Sequence, residues 1–135
     1  MADLRELAQV RLDDARALLD AGRTSGAYYL AGYAVECAVK AVITSAFRQY
    51  EMPPKKLVAD SHVHDLTTLV HLAGLDKALG AESRENVQFA AYWDLVKDWN
   101  EVSRYEVWTH DQADELVRAV GDPEHGVLRW LIALW

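Results

Sequence analysis

An arginine and a histidine lie six positions apart in the segment SRYEVWTHDQA, residues 103–113. An imidazole can take the proton of a hydroxyl group, and a guanidinium can stabilise the negative charge that develops on a phosphate under attack. Arg104 and His110 therefore have the chemistry that cleavage of a phosphodiester without a metal ion requires. They also fit a purely structural interpretation, in which Arg104 forms a surface salt bridge and His110 only begins a helix.

The residues around His110 predict the start of a helix. Thr109 and Gln112 have the spacing of a capping box, and Asp111 would lie near the positive end of the helix dipole. The same end disfavours a positive charge, which suits a histidine that has to accept a proton. On one unbroken helix, Arg104 and His110 would differ by about 9 Å in rise and lie on different faces. We therefore expect a break before Thr109 that lets the two side chains converge.

A second group of polar residues lies in AYYLAGYAVECAVKAVITSAF, a segment that is apolar nearly all round. At spacings of 4, 3, 4 and 4, these residues form one narrow stripe on a helix: Tyr29, Tyr33, Glu36, Lys40 and Thr44. Glu36 and Lys40 have the favourable order for an ion pair between positions i and i+4. The stripe is therefore either a local salt bridge on a buried helix or the lining of an active cleft.

The other candidate groups favour neither a metal nor a cofactor. His64 and His71 would be about 10 Å apart along a helix, too far for one ion with ligands at about 2 Å. Asp60 and His62 supply no convincing third ligand, so we expect His62 and His64 to be solvated loop histidines. The sequence has no Gly-rich phosphate loop. Cys37 is expected to be a buried apolar thiol rather than a nucleophile.

Composition limits the class of protein. With 14 basic and 21 acidic residues in 135, the formal net charge is −7. This argues against a general nucleic-acid coat protein, whose affinity rests on Lys and Arg, but leaves room for a local RNA site. The single cysteine excludes an internal disulfide and fits a reducing compartment. Because no leader pattern opens the chain and no apolar run reaches the length of a membrane span, we predict a cytoplasmic protein without membrane contact.

Apolar residues recur at every third or fourth position through most of the chain, which is typical of amphipathic helices, and no strand pattern is visible. EMPPKKLVADSHVHD, residues 51–65, is the only obvious long loop. The fold class is therefore all-α, an antiparallel bundle of four or five helices. The predicted helices run from Leu4 towards Gly22, from about Ser25 to Tyr50, from about Asp65 to Gly80, from about Ser83 to Val102, and from about His110 onward.

Three segments resemble the sequence blocks of HEPN-domain proteins. They are YYLAGYAVECAVKAVI at 28–43, HDLTTL at 64–69 and WNEVSRY at 99–105, in the order expected and across nearly the whole chain. The resemblance implies one HEPN domain, residues 1–135, built as a small antiparallel helical bundle like the substrate-binding subunits of nucleotidyltransferases. It also implies a homodimer, since such proteins usually dimerise. Many are encoded beside a minimal nucleotidyltransferase in toxin–antitoxin or defence systems.

The resemblance further implies an activity. Many HEPN proteins are metal-independent endoribonucleases in which an arginine and a histidine, four to six residues apart, face a shared dimer cleft. Arg104 and His110 fit with five intervening residues. His110 would take the proton of an RNA 2′-hydroxyl, and Arg104 would stabilise the phosphorane, leaving a cyclic phosphate without a metal or other cofactor. The residues expected to line or support the cleft are Tyr33, Glu36, Lys40 and Tyr105.

Two positions depart from the pattern of the toxic members. Gln112 stands where they have a tyrosine two places after the histidine, and Tyr105 stands where a polar residue often follows the arginine. Other members with an SRY junction lack the histidine and act as binding modules. The alternative function is therefore a non-catalytic HEPN module that pairs with a nucleotidyltransferase or antitoxin, or binds a nucleotide. The apolar tail RWLIALW is expected to dock on the bundle or on a second copy.

Overall fold

A computed structural model describes residues 3–47 and 64–135. In these two ranges the chain forms seven α-helices and one 3-10 segment, without a strand, so the predicted all-α bundle is confirmed. Within the same ranges, no helix is both long and apolar enough to cross a membrane. The elements are α1 Leu4–Asp20, α2 Thr24–Phe47, α3 Leu66–Leu72, α4 Asp76–Glu85, α5 Val87–Val96, the 3-10 segment Glu101–Tyr105, α6 His110–Gly121 and α7 Val127–Ile132.

Helix α2 is the centre of the bundle. It contacts α1, α3, α6, α7 and the 3-10 segment, which explains why its sequence is apolar on nearly every side. Cys37 is one of its buried residues, and burial raises the pKa of the thiol to about 11, as expected of an inert apolar group. The side chains of α2 with no exposure to solvent are Ala27, Ala31, Ala34, Val35, Ala38 and Val39.

Two of the predicted helices have the wrong boundaries. The helix expected from about Asp65 to Gly80 is two helices, because Gly74 adopts a φ of +73° after α3 and turns the chain. The helix expected from about Ser83 is interrupted at Asn86, whose backbone is extended and whose side chain accepts a hydrogen bond from the N–H of Phe89. The spacing of apolar residues continues across both breaks, so it does not reveal them.

The apolar tail docks on its own bundle. Trp130 and Leu131 of α7 are buried, and the Trp130 ring lies 5.2 Å from that of Phe89 in α5. Arg129 of the same helix reaches Glu82 of α4 at 2.8 Å. The tail was expected to dock either on the bundle or on a second copy. These contacts are with the bundle.

Trp99, which leads into the 3-10 segment, packs directly on the backbone of α2. Its side chain is buried, and a Cβ atom built on Gly32 would clash with the indole Cδ1. Only a glycine on α2 permits this approach. The contact therefore fixes the position at which the 3-10 segment starts.

Replacing Gly32 with alanine should destabilise the protein by about 1 to 3 kcal/mol, because the new methyl group overpacks against Trp99. The measurement is urea denaturation of both proteins. Gly80→Ala is the matched control, since its Cβ would meet only the flexible end of Arg84 at 3.4 Å. The control should be unchanged or more stable by up to about 1 kcal/mol. Equal stability of Gly32→Ala and the wild type would contradict the packing argument.

Candidate functional site

Arg104 lies in the 3-10 segment with its guanidinium held by two neighbours. One terminal nitrogen donates a hydrogen bond to the Tyr105 hydroxyl at 2.8 Å, and the other lies 3.2 Å from a carboxylate oxygen of Glu101. The guanidinium carbon is 4.8 Å from the centroid of the Tyr105 ring. The hydrogen bond to Tyr105 raises the pKa of Arg104 above its usual value. Arg104 is therefore a fixed positive charge, and Tyr105 orients it.

His110 is the first residue of α6, and its side chain is 64% exposed. The Thr109 hydroxyl accepts a hydrogen bond from the N–H of Gln112 at 3.2 Å, and the Gln112 side chain accepts one from the N–H of Thr109 at 3.0 Å. The predicted capping box is thus confirmed. The Gln112 side chain is occupied by the helix start, and His110 faces solvent beside it.

The expected break between Arg104 and His110 is confirmed. After the 3-10 segment the chain is extended at Glu106, with φ −108° and ψ 157°, and Val107 is 92% exposed. Regular helix resumes only after Thr109. Residues 106–109 therefore form an extended linker between the two candidate catalytic residues.

Trp108 anchors this linker to the N-terminal end of α2. Its backbone N–H donates to the Ser25 hydroxyl at 3.0 Å, and its carbonyl accepts from the Thr24 hydroxyl at 2.7 Å. The indole stacks on Tyr28, with ring centroids 3.7 Å apart, and its Nε1–H donates to the carbonyl of Ser103 at 3.0 Å. Trp108 thus ties both the 3-10 segment and the start of α6 to α2, a role that the sequence analysis missed.

The side chains of Arg104 and His110 are not in contact. In the part of the chain that the structure describes, no hydrogen bond or ion pair joins them, and each instead meets its own neighbours in sequence. The tertiary structure fixes the two backbone positions through Trp99 and Trp108. Within one chain it does not bring the two functional groups together on a single phosphate.

A buried carboxylate connects the polar stripe of α2 to this region. The side chain of Glu36 is only 3% exposed, and one of its oxygens lies 3.5 Å from Lys40 Nζ, which confirms the predicted ion pair. The other oxygen lies 2.8 Å from Nδ1 of His64, the residue before the N-cap of α3. A buried carboxylate is costly unless it is compensated, and these two partners supply the compensation.

His64 contacts a second carboxylate as well. Its Nε2 lies 3.1 Å from Glu101, whose other oxygen is the one that contacts Arg104. The expectation that His64 is a solvated loop histidine is therefore wrong. The sequence around His64 does not reveal these contacts, because Glu36 and Glu101 are each more than 25 residues away. We call Lys40, Glu36, His64, Glu101 and Arg104 the charge chain.

The aromatic residues of the α2 stripe pack against each other and against Trp99, which leads into the 3-10 segment. The rings of Tyr29 and Tyr33 lie 6.0 Å apart, and the Tyr29 ring lies 5.7 Å from Trp99. Burial raises the pKa of Tyr33. Thr44 donates its hydroxyl to the carbonyl of Lys40 within α2. Glu36 and Lys40 thus form the local salt bridge, and Tyr29 contacts Trp99, which leads into the Arg104-bearing segment.

A cavity of about 330 Å³ has Trp108 in its wall. It contains neither member of the candidate pair and none of the residues expected to line the cleft. Its lining carries two carboxylates and one amide among aromatic and apolar groups. The residues are Tyr28, Leu95, Asp98, Trp108, Gln112, Glu115 and Leu116.

Several residues were candidate metal ligands by sequence. Two of them, Asp60 and His62, lie outside the described residues. His71 is exposed and pairs with Asp76 at 2.7 Å. Across residues 3–47 and 64–135, no group of three or more His, Cys, Asp or Glu side chains is arranged to hold a metal ion.

The family model of the HEPN domain matches residues 1–122. Because the match covers most of the chain, the protein belongs to the HEPN family. Comparisons with curated proteins and with solved structures gave no match. The matched residues include the whole charge chain, Trp108 and the start of α6.

Replacing Thr24 with valine should destabilise the protein by about 1 kcal/mol, because the carbonyl of Trp108 loses its hydroxyl donor while the shape of the side chain is kept. Urea denaturation measures the loss, and hydrogen exchange should rise in residues 106–110. Thr44→Val makes the same chemical change on the same helix, where the hydroxyl donates to the carbonyl of Lys40 rather than to Trp108. Equal exchange in residues 106–110 of both variants would contradict the anchoring role of Trp108.

Proposed function

We propose that this HEPN protein is a metal-independent endoribonuclease of a toxin–antitoxin or defence system, with Arg104 and His110 as its catalytic residues. The observation that carries the proposal is the geometry of the 104–110 segment. An arginine with fixed charge and a solvent-facing histidine sit on either side of a tryptophan that anchors the segment to α2. Both side chains remain accessible, at 43% and 64% exposure, while their backbones are held.

In the proposed reaction, His110 takes the proton of an RNA 2′-hydroxyl as its oxygen attacks the adjacent phosphorus. Arg104 stabilises the negative charge on the phosphorane. The bond from phosphorus to the 5′-oxygen then breaks, and that oxygen takes a proton from the protonated imidazole. The products are a 2′,3′-cyclic phosphate and a 5′-hydroxyl, and the sequence of steps needs no metal or cofactor.

A homodimer is part of this proposal. Within one chain Arg104 and His110 do not meet, so a shared cleft in which two copies face each other would supply the missing proximity. Three large apolar side chains near Arg104, those of Val102, Tyr105 and Val107, are exposed, which supports a covering surface there. We also propose one domain over residues 1–135, since the buried residues of α7 belong to the same core, and a cytoplasmic location.

The second candidate is a non-catalytic HEPN module that binds a nucleotidyltransferase or antitoxin partner, or a nucleotide. The observation that favours it is the acidic character of the region. Glu101 pairs with Arg104, and Asp111 lies next to His110. Carboxylates at these places oppose a polyanion such as RNA and suit a partner protein with basic groups. This candidate predicts that the protein co-purifies with such a partner.

Arg104→Ala and His110→Ala should each reduce RNA cleavage by about 10²-fold or more, because each removes one half of the proposed chemistry. Purified proteins are incubated with cellular RNA in EDTA, and the cleaved ends are tested for cyclic phosphate. Induced expression of the wild type should arrest bacterial growth, and either substitution should relieve the arrest. Arg118→Ala and His71→Ala are matched controls, since both residues are exposed and each pairs with a nearby carboxylate.

The proposal fails if the wild type neither cleaves RNA nor slows growth. It also fails if the control variants lose activity as fully as the Arg104 and His110 variants. Co-purification of a nucleotidyltransferase, with RNA unaffected by either substitution, would instead support the binding module.

A further inference from the structure

The cavity of about 330 Å³ that has Trp108 in its wall takes no part in the chemistry proposed for the candidate catalytic pair. Its lining comes from α2, the end of α5, the linker and α6. Asp98 and Glu115 supply its carboxylates, and Tyr28 and Trp108 supply its aromatic groups. The volume lies in the range of sites that bind small organic groups.

The two carboxylates of the cavity are not paired with a cation. In the part of the chain that the structure describes, the side chains of Asp98 and Glu115 form neither a hydrogen bond nor an ion pair. Lys97, next to Asp98 in sequence, pairs with Asp94 instead, at 3.0 Å. The cavity therefore carries negative charge that the described part of the chain does not neutralise.

The hydroxyl of Tyr28 lies within reach of this negative charge. Burial raises the pKa of Tyr28, and the carboxylates of Asp98 and Glu106 raise it further. A cation in the cavity would be attracted by the same carboxylates, whereas a phosphate would be repelled by them. Charge thus favours a basic group over a nucleic acid as the occupant.

Apolar side chains beside the cavity indicate that the basic group belongs to a protein. Leu95, which is 41% exposed, is part of the lining, and Val107, which is 92% exposed, precedes Trp108 in the linker. A free amine would leave both in water, but a protein that carries the basic group also brings apolar surface to cover them. The net charge of −7 opposes a second copy of this chain as the source.

We propose that this cavity binds an arginine side chain of a basic partner protein. A guanidinium is planar and has five N–H donors, so it pairs with carboxylates and also lies favourably against aromatic rings. In the complex, Asp98 and Glu115 gain a cation from the partner. The inference rests on the partner-binding candidate described above and names the site at which the partner is recognised.

The position of the cavity gives the partner a route to the candidate catalytic segment. Trp108 is both part of the cavity wall and the residue that ties the linker to α2. Gln112, which also lines the cavity, belongs to the capping box that starts α6. An occupant therefore contacts the linker between Arg104 and His110, and the protein behind it covers that segment.

Titration of the full-length, ¹⁵N-labelled protein with N-acetyl-arginine N-methylamide tests the cavity without any assay of RNA cleavage. The indole N–H of Trp108 and the backbone amides of Gln112 and Glu115 should shift, with a dissociation constant of about 1 mM at about 0.15 M salt. The citrulline counterpart has nearly the same shape but no charge, so it should bind about tenfold more weakly or less. The lysine counterpart should bind about threefold more weakly than arginine, because an ammonium lacks the planar fork.

Conservative variants locate the binding at the two carboxylates. Asp98→Asn and Glu115→Gln should each weaken binding of the capped arginine about two- to fivefold, and the double variant about tenfold. Asp94→Asn and Asp114→Asn are matched controls, because both carboxylates lie outside the cavity and each already has a basic partner. They should bind as the wild type does.

The proposal is overturned if capped citrulline binds as tightly as capped arginine, or if the control variants lose as much affinity as the cavity variants. It is also wrong if guanosine shifts the same resonances at lower concentration, since the cavity would then recognise a base. A change in the sedimentation of the protein alone on Asp98→Asn would assign the cavity to a second copy instead. RNA cleavage that needs Arg104 and His110, with no partner co-purified, would defeat the partner-binding candidate, whereas the titration decides the cavity.

Discussion

The carboxylate of Glu36 is a negative charge placed inside an otherwise apolar helix, and much of this structure follows from compensating it. Lys40 is supplied by the next turn of the same helix, but His64 has to come from another part of the chain. Bringing His64 there also brings its second nitrogen to Glu101. A requirement of the core thus extends outward to Arg104, which links burial of one charge to the geometry of the candidate site.

Two tryptophans turn an irregular segment into a fixed one. Trp99 rests on the bare backbone at Gly32, and Trp108 is held by hydrogen bonds and by stacking on Tyr28. The 3-10 segment and linker between them have few regular hydrogen bonds of their own. Without these anchors, Arg104 and His110 would lie on an unsupported loop. Anchored at both ends, they have defined backbone positions and accessible side chains, which suits either catalysis or recognition of a partner.

Patterns that act over one or two turns were readable in advance. The capping box of Thr109 and Gln112 and the Glu36–Lys40 pair depend only on residues three or four positions apart, and both are confirmed. The helix breaks at Gly74 and Asn86 were missed, since the apolar periodicity continues across each of them. No local pattern marks Trp108 as an anchor, because its partners on α2 are more than 75 residues away.

The sequence by itself determined the all-α class, the buried central helix and the capped start of α6, because periodicity and capping are local physical properties. The resemblance to HEPN proteins rests on three sequence blocks instead. Only the tertiary structure decided what His64 does and how Arg104 is oriented. Those roles arise from contacts between segments distant in the chain, and a histidine in a polar stretch looks the same in sequence whether it is solvated or lies between two carboxylates. The distances that decide this, 2.8 Å to Glu36 and 3.1 Å to Glu101, exist only once α2 is buried.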